Sequence, residues 1–190
     1  MKKIFLVSLF SLFLTGCFSG RSPNPSFYLL EQQSGKEISS KKISVLVEPI
    51  KLPALVDKPQ IVLKEENSPE VTVSEFNRWG EPLSNMIRQT LIADLNTYLP
   101  NAFIKPDNYD TSGRFDYTLL IEVDRFIGEK KSFAAFDVWW TLRNANGKII
   151  KREKSNFYSS MEESYSSYVE AQGYNIDELA QKIAHKLSTK

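Results

Sequence analysis

The sequence contains very few of the residues that build disulfides, metal centres and nucleophilic active sites. It has one cysteine, Cys17, and one histidine, His185, among 190 residues. A single cysteine excludes an intrachain disulfide and any multi-thiolate metal or iron–sulfur site. A single histidine excludes a multi-histidine metal cage and weakens every proposal of a Ser-His-Asp triad. We therefore expect no metal ion and no cofactor.

The sequence also lacks a glycine-rich phosphate loop and a hydrophobic run long enough to cross a membrane. Its longest apolar run, residues 4–14, has 11 residues and is broken only by two serines. As a helix this run would rise about 16 Å, whereas the hydrocarbon core of a bilayer is about 30 Å thick. Adjacent acidic pairs such as Glu65-Glu66 are typical of solvated surface charge. We expect a protein that is not an enzyme.

The N-terminus has the organisation of a secreted lipoprotein. Lys2 and Lys3 precede the apolar run, which is the pattern of a signal peptide. The segment Leu14-Thr15-Gly16-Cys17 resembles the bacterial lipobox, in which the cysteine is lipidated and becomes the new N-terminus. The alternatives are a buried N-terminal helix and a buried core cysteine. The lipobox predicts a signal peptide over residues 1–16, then a lipidated N-terminus and tether over 17–26, and a single periplasmic domain over 27–190.

Lipidation at Cys17 would supply an S-diacylglycerol group and an N-acyl chain such as palmitate, and two or more chains give stable anchoring. Phe18 and Ser19 follow the cysteine. In lipoproteins of this kind an aspartate there is the usual inner-membrane retention signal, so we expect transfer to the outer membrane, with the domain on the periplasmic face. Removing two lysines leaves 22 basic against 23 acidic residues, a net charge of −1. We expect no nucleic-acid binding.

Hydrophobic periodicity predicts one α+β domain. Apolar residues at three-to-four spacing after Pro82 indicate a helix that Pro100 ends. From Asp116 the period changes to two, and Asn146-Gly147 is a strong hairpin signal, so a three-stranded antiparallel meander is expected. A C-terminal helix is predicted in two pieces, broken at Gly173 and capped anew by Asn175. The predicted fold is a mainly antiparallel sheet with helices packed on one face.

Several segments together resemble one family, the PqiC/YmbA-type lipoproteins. They are the lipobox, Leu52-Pro53-Ala54-Leu55 and Arg78-Trp79-Gly80-Glu81-Pro82-Leu83, in which Gly80 replaces a common alanine. Members are described as auxiliary lipoproteins of ABC-type transport systems. The resemblance implies a docking role beside an MCE-domain protein that spans the periplasm and has an inner-membrane partner, in lipid transport that supports envelope integrity. A homo-oligomeric ring around the tip of that bridge is compatible with this role.

Three groups of residues are candidates for the partner-binding surface. Arg78, Trp79 and Glu81 combine charge with a large aromatic ring, the residue types enriched at binding hot spots. Alternatively, Trp79 packs on the sheet and Arg78 pairs with Glu81 to fix the start of the helix. The second group is Leu52, Pro53 and Leu55, which form either an exposed apolar lip or a rigid crossing over the core. The third is Trp139, whose strand neighbour Trp140 must face the opposite side.

Two other functions remain open at this stage. The sheet and helices could enclose an acyl-sized cavity, which would make the protein a lipid carrier. Alternatively, exposed aromatics such as Tyr165 and Tyr168 could bind envelope carbohydrate or serve an accessory protein of a cell-wall enzyme. Bound lipid would favour the carrier, and retention on peptidoglycan would favour the carbohydrate binder. Neither alternative requires a reactive group.

Overall fold

The computed structural model describes residues 23–108 and 113–189. The predicted signal peptide and Cys17 lie outside the described residues. The described part of the chain forms eight strands and two helices around one core. In chain order they are β1 (Ser26–Tyr28), β2 (Ser44–Val47), β3 (Gln60–Lys64), β4 (Val71–Trp79), α1 (Leu83–Tyr98), β5 (Phe103–Pro106), β6 (Tyr117–Glu129), β7 (Phe133–Asn144), β8 (Ile149–Ser160) and α2 (Tyr165–Ser188).

The predicted three-stranded meander is the largest part of the sheet. β6, β7 and β8 pair antiparallel along almost their whole length. Gly147 lies in the β7–β8 turn with a φ of +75°, a conformation that glycine adopts without the steric cost of a side chain. The Asn146-Gly147 signal therefore marked the turn correctly.

One edge of β6 pairs with β7, and two other strands share the opposite edge. β2 pairs parallel with its first half, from Val45 opposite Tyr117, and β3 pairs parallel with its end, at Lys64 opposite Glu129. Lys51 forms an isolated parallel bridge with Glu122 between them. Residues 44–64 therefore follow one edge of β6, and the segment 52–59 leaves that edge as a loop. β5 extends the sheet beyond β2, and β4 and β1 extend it beyond β3.

The prediction of a mainly antiparallel sheet is wrong. Among the described residues four strand pairings are parallel (β1–β4, β2–β5, β2–β6, β3–β6) and three are antiparallel. Alternation of polar and apolar residues indicates a strand and its buried face but carries no information about the direction of its neighbour. Only the hairpin turn reveals direction locally, whereas parallel neighbours are joined by long connections. The sheet is mixed.

Both helices pack on the same face of the sheet and against each other. α1 runs over the predicted residues, with Pro82 as its N-cap, and buries the predicted apolar side chains. Ser164 is the N-cap of α2, and its Oγ accepts a hydrogen bond from the backbone N of Ser167 at 3.1 Å. Neither described helix is long and apolar enough to span a bilayer.

The predicted break in the C-terminal helix is wrong, because α2 continues through Gly173 and Asn175. Asn175 is buried, and its Nδ2 donates to the carbonyl oxygen of Ala134 on β7 at 3.1 Å. A Cβ on Gly173 would lie 3.1 Å from Nε2 of Gln33. The contacts that α2 makes with the rest of the domain therefore account for Gly173 and Asn175, and the helix ends at neither residue. His185 is exposed on α2.

Candidate partner-binding surface

The meander has one face covered by helices and one open face. Trp140 is 1% exposed and points toward the helices, where its Nε1 donates to Ser155 Oγ at 3.2 Å. Trp139, the preceding residue, points to the other face, where it lies directly opposite Glu122 on β6 and Lys154 on β8. Successive side chains on a strand alternate between faces, so the two tryptophans are separated by the sheet itself.

Trp139 is held by two cations from the neighbouring strand. The guanidinium carbon of Arg152 lies 5.2 Å from the centre of its ring, and Nζ of Lys154 lies 5.9 Å away. Such cation–π contacts are worth about 0.5–1 kcal/mol at exposed sites. Trp139 is only half-buried. The ring is thus oriented in advance while part of its surface remains in contact with solvent.

The charges around Trp139 form pairs across the strands. Lys154 Nζ lies 2.7 Å from Asp124 Oδ2, and this hydrogen bond raises the pKa of the lysine. Glu122 forms two ion pairs: its Oε1 lies 3.2 Å from Lys51 Nζ, and its Oε2 lies 3.7 Å from Arg152 Nη2. These side chains are 41–78% exposed, so the pairs contribute little to stability. They give the face mixed charge without a dominant sign.

A second aromatic and ionic cluster lies further along the same face. Arg125 Nε donates to Asp137 Oδ2 at 2.7 Å, and Arg125 NH2 donates to the hydroxyl of Tyr158 at 2.7 Å. Partial burial lowers the pKa of Arg125, but the hydrogen bond and charge of Asp137 outweigh this effect and raise it overall. Asp137 Oδ1 is buried and has no hydrogen-bond partner. Arg125 therefore neutralises a carboxylate that the surrounding sheet does not otherwise satisfy.

The loop 52–59 carries the second group of predicted residues. Leu52 and Pro53 are half-buried, whereas Leu55 is 44% exposed. The backbone N of Val56 donates to the carbonyl oxygen of Pro53 at 3.0 Å, and the Val56 side chain is buried. A short turn pinned at Val56 thus presents Leu55 to solvent. Both sequence interpretations hold in part, since one side of the loop covers the core and the other is an exposed apolar lip.

The third group of predicted residues is divided between core and surface. Trp79 ends β4 and is 4% exposed, with its ring 6.3 Å from Phe126 and 6.0 Å from Tyr168. Arg78 Nε donates to the carbonyl oxygen of Glu75 at 3.1 Å, in place of the predicted pair with Glu81, which is exposed. Trp79 therefore packs in the interior as the local alternative predicted.

The fold brings some of the predicted residues near one another. Lys51 directly precedes the loop 52–59, and its ammonium group pairs with Glu122, the residue opposite Trp139. The loop therefore starts beside the open face. The end of the loop meets β4, where the carbonyl oxygen of Pro59 accepts from the backbone N of Trp79 at 2.8 Å. Sequence reasoning missed the other members of the open face. The period-two pattern could have found them, because they occupy the polar positions of the meander: Glu122, Asp124, Arg125, Asp137, Arg152, Lys154 and Tyr158.

Two buried acids lie between the helices on the covered side. Asp94 of α1 is fully buried; its Oδ1 accepts from the backbone N of Gln33 at 2.9 Å, and its Oδ2 has no partner. Burial raises the pKa of Asp94 to about 7, against the hydrogen bond from Gln33, and the nearby charge of Asp177 adds to the rise. Asp177 of α2 accepts from the hydroxyl of Tyr98 at 2.6 Å and from Gln181 at 2.8 Å. The described residues include no group of three potential metal ligands.

The meander thus has one face closed by helices and one open face of paired charges around a tryptophan. A family model described as "ABC-type transport auxiliary lipoprotein component" matches residues 28–184. The chain belongs to this family of auxiliary lipoproteins. This confirms the resemblance to PqiC/YmbA-type lipoproteins drawn from the sequence motifs.

Individual relatives support this assignment, and solved structures share the fold. The chain is 30% identical over 154 residues to the intermembrane transport lipoprotein PqiC of Escherichia coli K12, which is 80% of this chain and 79% of that protein. The Shigella flexneri protein of the same name matches to the same extent. Two crystal structures share the fold with a TM-score of 0.71. One is of an uncharacterized protein, at 20% identity and covering 87% of this chain and all of that chain. The other, from Xanthomonas campestris, is 13% identical and covers 86% and 94% of the two chains.

Proposed function

We propose that this protein is an outer-membrane-anchored periplasmic lipoprotein that serves as a non-catalytic docking subunit of an intermembrane lipid-transport system. Its partner is an MCE-domain protein that spans the periplasm and has its own inner-membrane component. The lipoprotein holds the outer-membrane end of that bridge in place, which supports envelope integrity. A homo-oligomeric ring of lipoproteins around the bridge tip is compatible with this role.

The observation that carries the proposal is the family membership over residues 28–184. The relative at 30% identity is named as an intermembrane transport lipoprotein, and the alignment covers about four fifths of both chains. A docking subunit needs an anchor, a rigid domain and an adhesive surface. The lipobox at Cys17 supports the anchor, and residues 18–26 provide a short tether to the first strand. N-acyl and S-diacylglycerol chains at Cys17 are part of the proposal.

The open face supports the adhesive surface. Tryptophan and arginine are the residues most enriched where binding energy concentrates, and both occur here with their side chains already oriented. Leu55 extends this surface with an exposed apolar side chain, next to the loop residues Leu52 and Pro53. Of the other predicted contacts, Arg78 is half-buried and Glu81 is exposed. Trp79 takes part only by supporting the sheet from the core.

The lipid carrier and the carbohydrate binder receive less support from the described residues. Large side chains fill the layer between sheet and helices, among them Trp140, Tyr168, Phe126 and Phe136, all less than 2% exposed. Tyr168 is therefore unavailable to a sugar, and Tyr165 is half-buried. We keep both functions as outcomes of the test below.

The proposal is tested by photo-crosslinking in intact cells. A photoreactive phenylalanine analogue replaces Trp139 in the lipidated protein, and the control carries it at Phe103, which is 54% exposed on β5 at the edge of the sheet. We expect an adduct with an MCE-domain protein from position 139 and much less from position 103. A Cys17→Ala variant should lose both the adduct and the outer-membrane fraction.

Efficient crosslinking at position 139 to other molecules, with no MCE-domain protein among the adducts, would contradict the docking role. Acyl lipid recovered in stoichiometric amount with the purified domain would favour a carrier. Retention of the protein on peptidoglycan would favour a carbohydrate binder.

A further inference from the structure

The N-terminal segment and α2 together expose an apolar patch that the proposed docking role does not use. Phe27 is 64% exposed, Leu29 57% and Tyr174 46%. All three line one surface cleft of about 580 Å³. We call these three residues the N-terminal patch. Single exposed apolar residues are ordinary on protein surfaces, but a cluster with aromatic members marks an interaction site.

Contacts of Tyr28 and Leu29 with the domain fix the position of the N-terminal patch. Tyr28, between the two apolar residues, faces the domain: its hydroxyl donates to Asn77 Oδ1 at 2.9 Å and its ring lies 6.3 Å from Tyr165. Phe27 and Leu29, on either side of Tyr28 along the chain, are more than half exposed at the cleft that Tyr174 also lines. Leu29 rests on Gly80, where a Cβ would come 2.7 Å from Leu29 Cδ2.

The patch also lies close to the predicted lipid anchor along the chain. Nine residues lie between Cys17 and Phe27, and the ten Cα–Cα steps that join them span at most about 35 Å. A domain of this size is about 40 Å across. A tether shorter than the domain keeps the pole where the chain enters turned toward the bilayer. Ile149 lies at the other pole, because it pairs with Arg143 near the far end of the meander, whereas Gly128 lies beneath Tyr168 in the first turn of α2.

We propose that the N-terminal patch is a second membrane contact: Phe27, Leu29 and Tyr174 enter the headgroup region of a zwitterionic phospholipid bilayer and orient the domain on it. The inference rests on the lipid anchor at Cys17 in the proposed function. Aromatic and apolar side chains at the membrane interface are favoured there because one end is apolar and the other reaches water. The open face around Trp139 then stays free for the protein partner.

Charge at the cleft determines which lipid surface fits. Glu31 and Glu170 line it, and its described lining contains no lysine or arginine. The hydroxyl of Tyr174 donates to Glu170 Oε1 at 3.1 Å, which places a carboxylate beside the ring. These acids repel an anionic surface and attract the ammonium groups of phosphatidylethanolamine. The contact should therefore weaken as anionic lipid replaces phosphatidylethanolamine.

The test uses the complete lipidated protein, reconstituted through its anchor into phosphatidylethanolamine-rich vesicles. The vesicles contain a phospholipid with a photoreactive group near the headgroup, and labelled peptides are identified by mass spectrometry. We compare the wild type with a Phe27→Ser, Leu29→Ser double variant. Ile149→Ser is the matched control, since Ile149 is 49% exposed at the opposite pole. Circular dichroism checks that each variant is folded.

We expect label on the peptides that contain Phe27 and Tyr174 and little on the peptide that contains Ile149. The double variant should reduce labelling at Tyr174 about tenfold, because two apolar side chains no longer leave water on binding, and the control should leave it unchanged. Replacing phosphatidylethanolamine with phosphatidylglycerol should lower it several-fold.

The outcomes separate this inference from the proposed function. A wild-type protein that does not float with the vesicles would contradict the anchor itself. A protein that floats but shows no label at the patch would overturn the membrane contact alone. Crosslinks from the patch to a second copy or to another protein would also overturn it, as would stronger labelling in phosphatidylglycerol.

Discussion

The two faces of the meander are built from the same three strands, yet one is buried beneath helices and the other is open to solvent. On the covered face Trp140 is enclosed by other side chains, and its polar atom is satisfied internally by Ser155. On the open face Trp139 is flanked by Arg152 and Lys154, and its neighbours are exposed ion pairs. Adjacent positions in one strand thus separate the core from the proposed docking surface. A substitution on one face should be felt in stability and on the other in binding.

The sharpest test exchanges each tryptophan for alanine. Trp140→Ala should lower the free energy of unfolding by about 3–5 kcal/mol, because it leaves a cavity and an unpaired Ser155 hydroxyl on the covered face. Trp139→Ala should lower it by about 1 kcal/mol or less, since it removes only a half-exposed ring and its cation–π contacts. Urea denaturation measures both. Comparable losses in the two variants would contradict the division between the faces.

A second prediction concerns the buried carboxyl of Asp94 on the covered side. Its pKa is raised to about 7 in the folded protein, whereas an unfolded aspartate titrates near its ordinary value of 3.8. Between these values the folded state holds a proton that the unfolded state releases, so stability falls as pH rises from about 4 and levels off above about 7. We expect a loss of about 2–4 kcal/mol across that range.

Asp94→Asn should flatten this profile, and the measurement is urea unfolding at several pH values between 5 and 8. The range excludes acids whose pKa values are lowered, such as Glu65, Glu129 and Glu153, because those affect stability only at lower pH. If the variant kept the wild-type slope, the titrating group would be another one.

The third prediction tests the most enclosed ion pair of the open face. Arg125→Leu should cost about 1–3 kcal/mol, because it leaves the largely buried carboxylate of Asp137 without a counter-charge. The double variant Arg125→Leu, Asp137→Leu should recover most of that loss, since no buried charge then remains. Thermal unfolding of the single and double variants measures the difference. No recovery in the double variant would mean that packing of the arginine stem is responsible.

The smallest effect is expected at the exposed pair of Lys154 and Asp124. Lys154→Ala should change stability by less than about 0.5 kcal/mol, because both side chains are more than two fifths exposed and water screens the pair. The same variant should weaken photo-crosslinking of the proposed MCE-domain partner from position 139, where the lysine helps to orient the aromatic side chain. A loss of stability with unchanged crosslinking would contradict the proposal that the open face acts in binding and not in stability.

The difference between the faces also explains how much the sequence could reveal. Period-two alternation in residues 117–142 identified the meander and placed Trp140 inside and Trp139 outside, because alternation reports burial directly. It could not reveal that β2 and β3 lie parallel to β6, since the partners are joined by connections of more than fifty residues. The continuity of α2 was missed for a similar reason. Gly173 lies against Gln33 and Asn175 donates a hydrogen bond to Ala134, and both partners are distant in sequence.

For the candidate surface, local sequence identified single residues but not their neighbours. Trp79 was a candidate for binding because its residue type is frequent at interfaces, whereas its contacts with Phe126 and Tyr168 belong to the core. The polar side chains around Trp139 come from three strands, and only the register of β6 and β8 brings them together. Asp94 did lie within the predicted apolar stripe of α1, which was a local signal of an unusual buried acid.

The shared edge of β6 has a consequence for the order in which the chain folds. Val45 pairs with Tyr117 and Lys64 with Glu129, so β2 and β3 can pair with β6 only after more than sixty further residues are available. The hairpins of β6, β7 and β8 close between near neighbours and lose far less chain entropy. A chain that emerges N-terminus first from an export channel therefore presents β2 and β3 without their β6 partner, although β3 can already pair with β4 and β2 with β5. The meander, the last sheet segment to appear, is then the template on which the earlier strands assemble.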